Sequence, residues 1–181
     1  MSMRSARPWP AVAAAAIVPV ALAAWVYFPI TRSYFWADDF VCLASIRNDG
    51  FLDFVLRPFG GHNLLVRNLA FYVSYQLFGL EAGRYFWTVL LTHLLNVFLL
   101  FRILRNLTRS LTLACFGAAL WGTSPVDYGA LGWYAVYGQV LAATLLLVVL
   151  DQLTALAADG RLPTVRTAAS ASARRVRTAP Q

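Results

Sequence analysis

Trp9 to Phe28 is a run of 20 residues without one charged side chain. A helix needs about 20 apolar residues to cross the hydrocarbon core of a bilayer. In hydrocarbon a single segment satisfies its own backbone polar groups only as a helix, so this run commits the chain to α-structure. Three later apolar runs follow, the first of them with Arg102 near its end: Tyr85 to Leu104, Leu111 to about Val126, and Leu131 to Leu150. The expected fold is therefore all-α, a polytopic membrane protein with about four transmembrane helices. The chain is 60% hydrophobic, against roughly half for a soluble domain. Arg4 and Arg7 precede the first run, and Ala21-Leu22-Ala23 resembles a signal-peptide cleavage site. The run continues past it, longer than the ~7–15 residues of a signal peptide's apolar core, so an uncleaved anchor is expected.

All 15 positive side chains are Arg and none is Lys. The net charge of +7 does not mark a nucleic-acid binder, because the arginines form no single patch. Ten sit at Arg4, Arg7, Arg102, Arg105, Arg109, Arg161, Arg166, Arg174, Arg175 and Arg177; the other five lie between Thr31 and Arg84. By the positive-inside rule both termini are then cytoplasmic and the 31–84 loop is outside. Residues 1–158 make the membrane domain. Residues 159–181, rich in Arg, Ala, Thr and Ser without aromatics, read as a disordered tail. Asn106-Leu107-Thr108 matches a glycosylation pattern but falls on the cytoplasmic side. Cys42 and Cys115 lack metal-ligand spacing, and with two histidines a zinc site is not expected.

Within the outer loop the patterning gives short juxtamembrane helices. One runs from Asp38 or Asp39, as its cap, to about Arg47, and a second from Phe51 to Arg57. An amphipathic third covers Asn63 to Phe78 and ends at Gly79. A helix of the third kind beside a span tends to lie in the membrane interface, with Asn63, Arg67 and Ser74 on its polar face. His93 and Asn96 sit one turn apart inside the second span, where polar groups usually face other helices. Ala114, Ala118 and Gly122 recur every fourth residue, a pattern for close helix packing. Both features are expected to await partner helices.

The chemistry-bearing candidates are the pair Asp38 and Asp39, just past the first span, and the group Arg57, His62, Arg67 and Arg84. Consecutive carboxylates point in different directions, so one is expected to face a site and the other to support the loop. The bland alternative is a helix cap and a solvated charge. For the cationic group the bland alternative is solubility and attraction to lipid headgroups. The functional one is phosphate binding, which the guanidinium fork fits.

Several stretches together resemble the amino-terminal part of the membrane glycosyltransferases of the C-type fold. The resemblance is nearest to protein O-mannosyltransferases with tetratricopeptide repeats and their bacterial relatives. The stretches are Asp38-Asp39, Gly61-His62-Asn63-Leu64-Leu65-Val66-Arg67, Leu77-Phe78-Gly79-Leu80, Thr92-His93-Leu94-Leu95-Asn96-Val97, and Ser124-Pro125-Val126 followed by Trp133. They cover Phe35 to about Leu150. Asn68 stands where the pattern often has Pro, and Ser124 where it often has His.

The resemblance implies a sugar transfer from a polyprenyl-phosphate donor to a hydroxyl of protein, lipid or glycan. It would occur at the outer face of a bacterial plasma membrane. Asp38, by preference over Asp39, is implied as the catalytic base, and Arg57, His62, Arg67 and Arg84 as donor-phosphate ligands. It implies no cofactor, and the sequence gives no support for a divalent cation. Four spans are fewer than that family uses, so a truncated or degenerate copy is expected, inactive by itself and dependent on another membrane subunit or on self-association. The alternative is a non-catalytic four-span protein, a lipid-carrier flippase or a scaffold.

Overall fold

A computed structural model of the chain describes residues 9–158. The tail expected at 159–181 and the arginines of both termini lie outside these residues. Eight α-helices follow one another: α1 (Trp9–Tyr27), α2 (Asp38–Asn48), α3 (Phe51–Leu56), α4 (Leu65–Phe78), α5 (Ala82–Thr108), α6 (Leu111–Gly122), α7 (Tyr128–Leu131) and α8 (Tyr137–Ala158). Short 3₁₀ turns occupy Phe28–Arg32, Pro125–Asp127 and Tyr134–Val136.

Among the described residues, three segments are long and apolar enough to cross a membrane: Ala11–Arg32, Ala82–Thr108 and Tyr134–Ala157. The third expected crossing, 111–126, does not form a helix of that length. Ser110 caps α6 by accepting the Leu113 amide at 3.3 Å. The helix stops at Gly122, because a residue before Pro125 is pushed out of the α region. Its 12 residues span about 18 Å against the ~30 Å of a bilayer core.

Contacts at the helix ends fix the chain path. Tyr85, early in α5, meets Tyr134, at the start of the last span, with ring centroids 4.9 Å apart. Arg102, late in α5, pairs with Asp151, late in α8, at 3.0 Å. These two helices therefore run parallel. The chain between them must return along the bundle, and it does so through α6 and the irregular 123–136 segment. Meanwhile α1 runs antiparallel to α5, since Phe28 packs on Trp87.

The return path is held by the polar groups inside the bundle. His93 Nε2 lies 2.9 Å from the Gly122 carbonyl, Tyr27 Oη donates to the Ser124 carbonyl, and Asn96 Nδ2 donates to the Val140 carbonyl at 3.2 Å. Buried irregular backbone persists only where its polar groups find partners, and these side chains supply them. His93 and Asn96 are thus buried inside the chain rather than waiting for partner helices. The small-residue stripe is also consumed internally. Ala114 and Ala118 pack with Ala16, Ala23, Val97 and Phe101, and a Cβ added at Gly122 would meet Val97 at 2.6 Å.

Candidate functional site

The acidic pair opens α2 but caps nothing. Ala37 is the N-cap, no side chain accepts from the first-turn amides, and both aspartates lie in that turn, where a negative charge suits the helix dipole. Ala37 has φ 46°, a conformation a Cβ disfavours. This kink turns Asp39 inward. Its Oδ2 accepts from the Trp36 amide at 3.0 Å, and its Oδ1 from the Ala135 amide at 2.6 Å. Asp39 is fully buried. Burial pushes its carboxyl above the ordinary carboxylate value, against the opposing pull of the Trp36, Ala135 and Tyr134 amides. Asp39 is therefore a clamp between the start of α2 and the irregular segment before α8. Trp36 and Trp133 reinforce it, with ring centroids 5.4 Å apart. Asp38 is left half-exposed.

Asp38, Cys42 and Ser45 follow one face of α2 at helical spacing. Opposite that face sits Arg67, on the first turn of α4. Arg67 is 4% exposed; its guanidinium donates to Cys42 Sγ at 2.8 Å and lies 4.8 Å from the Phe59 ring centroid. Its Nε is buried without a hydrogen-bond partner. No carboxylate lies within salt-bridge distance of it among the described residues. Cys42 does not supply the missing anion, because burial holds its thiol above the usual value despite the pull of Arg67.

Local sequence explains the placement. Gly60 and Gly61, at φ 55° and 79°, form the two-residue turn such pairs favour, bonded between Phe59 and His62. That turn lays Phe59 over Arg67. Asn68 Nδ2 donates to the carbonyls of Phe54, Val55 and Arg57 at 3.2, 3.1 and 3.0 Å, tying the end of α3 to α4. Nothing in the local pattern marks Asn68 for this, since its acceptors come from the end of α3 and from Arg57 just beyond it.

Arg57 joins Arg67 in lining one cleft with Val41, Cys42, Ser45 and Phe54, its outer edge paired to Asp49 at 2.7 Å. The cleft holds about 20 Å³, little more than one water. The other two cationic candidates stand apart from it. His62 is exposed at the glycine turn, and Arg84, on α5, pairs with Glu81 at 2.6 Å. Among the described residues, no three His, Cys, Asp or Glu side chains come close enough to hold a metal ion.

Comparison of the chain with protein-family models, with curated proteins and with solved structures gives no match.

Proposed function

We propose that this chain is the membrane domain of a glycosyltransferase that moves a sugar from a polyprenyl-phosphate donor to a hydroxyl acceptor. The observation that carries the reading is Arg67: a buried guanidinium without a carboxylate partner, beside Arg57, on the side of α2 that also bears Asp38. A buried unpaired charge is costly, and an anionic ligand would offset that cost. In the proposed reaction Asp38 takes the acceptor proton as the hydroxyl oxygen attacks the anomeric carbon. The bond from that carbon to the phosphate oxygen breaks, and Arg67 with Arg57 stabilises the departing phosphate. Asp39 holds Asp38 in position. Direct displacement inverts the anomeric centre.

The same proposal places the 31–84 region outside a bacterial plasma membrane and both termini in the cytoplasm, with 111–133 as a fourth crossing built from a short helix and irregular chain. A cleft of about 20 Å³ is far below the ~300–1,000 Å³ that encloses an organic ligand. The complete donor site therefore needs walls from further membrane helices, and the isolated chain does not turn over. The small cleft also favours a second reading, a non-catalytic carrier protein that holds only a lipid phosphate.

The test is transfer from radiolabelled polyprenyl-phosphate hexoses to hydroxyl acceptors in native membranes. Asp38→Asn should abolish transfer at unchanged protein abundance. Undiminished transfer by Asp38→Asn removes the base assignment, and no transfer by the wild type with any hexose favours the carrier reading.

A further inference from the structure

The polar groups around the Arg67 cleft are one-sided. Its acceptors are already matched: the Phe54 and Arg57 carbonyls accept from Asn68 Nδ2 at 3.2 and 3.0 Å, Cys42 Sγ from Arg67 at 2.8 Å, and Ser45 Oγ from Arg57 at 3.4 Å. What is left over is hydrogen. The Arg67 Nε–H is buried without an acceptor, and the Ser45 hydroxyl and the Cys42 thiol each carry a hydrogen of their own. The charges are equally uneven. Arg57 is paired with Asp49 at 2.7 Å, whereas no carboxylate reaches Arg67 among the described residues. A water could accept from Nε, but it would leave the positive charge uncompensated, which is strongly destabilising for a buried group.

Size selects the anion. The cleft holds about 20 Å³, little more than one water, against the apolar walls of Val41, Phe54 and Phe59. A phosphate, sulfate or carboxylate is too large to enter whole and could place only one oxygen there. A monatomic anion fits, and being spherical it accepts from donors in any direction. We infer that the Arg67 cleft is a halide site, occupied by chloride in ordinary salt, with Arg67 Nε as its principal donor and Ser45 beside it. Arg57, with a side chain 46% exposed, stands at the mouth and draws the ion in from solution. Chloride then sits where one oxygen of a phosphate would, so the two anions compete. Halide binding shares this cleft with the transfer reading but needs no transfer, and transfer can fail with the halide site intact.

The experiment is thermal unfolding of the full chain in neutral detergent, followed by tryptophan fluorescence, with sodium chloride replacing sodium gluconate at constant ionic strength. The midpoint should rise saturably with chloride, by about 5–11 °C at 100 times its Kd, and bromide should reproduce the rise. Arg67→Met should show no halide response. Ser45→Ala, at a partly exposed position, should keep the midpoint in gluconate and raise the apparent Kd several-fold. Inorganic phosphate should add less in saturating chloride than in gluconate. Equal wild-type midpoints in chloride and gluconate would overturn the inference. So would a chloride gain retained in full by Arg67→Met, an equal saturable gain from sulfate, or phosphate and chloride gains that simply add.

Discussion

Arg67→Met separates a residue kept for the fold from one kept for a ligand. Met preserves the stem that packs under Gly138, where an added Cβ would lie 2.8 Å from Arg67 Cβ. It removes the buried charge. Two favourable contacts are lost: the bond to Cys42 Sγ, worth about 1.5–3 kcal/mol for a charged donor, and the Phe59 face, about 2 kcal/mol when desolvated. Against them stands the desolvation of an unpaired ion, several kcal/mol. Replacing buried ionic groups by well-packed apolar ones is commonly neutral or stabilising by about 1–4 kcal/mol. The expected gain here is about 1–3 kcal/mol, and at roughly 2–4 °C per kcal/mol for a chain of this size the midpoint rises by about 2–12 °C. The assay is thermal unfolding in detergent, followed by tryptophan fluorescence, with and without inorganic phosphate. An anion bound at 100 times its Kd adds about 2.7 kcal/mol, and only the wild type should gain. A variant that melts well below the wild type, or phosphate raising both midpoints equally, would refute the reasoning and make Arg67 a packing residue.

Two further outcomes are expected. The raised Asp39 carboxyl binds its proton more tightly in the folded state than in the unfolded one, so stability falls as pH rises from about 3.8 through the folded value and is level above it. Asp39→Asn should flatten that slope in a pH-dependent denaturation series; an unchanged slope would assign it to another group. For topology, an impermeant thiol reagent applied from outside should label a cysteine at Asn48 and spare one at Leu107, both exposed positions. The opposite pattern would reverse the orientation.

What the sequence determined is set by local rules. A charge-free run of 20 residues must be a helix wherever it is buried in lipid. Turn residues such as Gly50, Pro58 and Gly79 bound the short helices that follow, at Asp38–Asn48, Phe51–Leu56 and Leu65–Phe78, though no side chain caps their amino ends. Periodicity also put Arg67 and Ser74 on one arc of α4. It could not say which arc faces inward. That answer came from contacts with chain segments far away: Cys42 for Arg67, Tyr134 for Ser74, and the α3 carbonyls for Asn68. The acidic pair was visible as a motif, but its division of labour was not. Asp39 is the buried member because an amide 96 residues further on meets its carboxylate. The run at 111–126 shows the limit from the other side. Its composition suits a span, but the helix ends before Pro125, and the break is tolerated inside the bundle because His93 and Tyr27, on α5 and α1, satisfy the carbonyls it exposes. Tertiary structure decides such cases because a hydrogen bond needs two partners in space, and a sequence window contains only one.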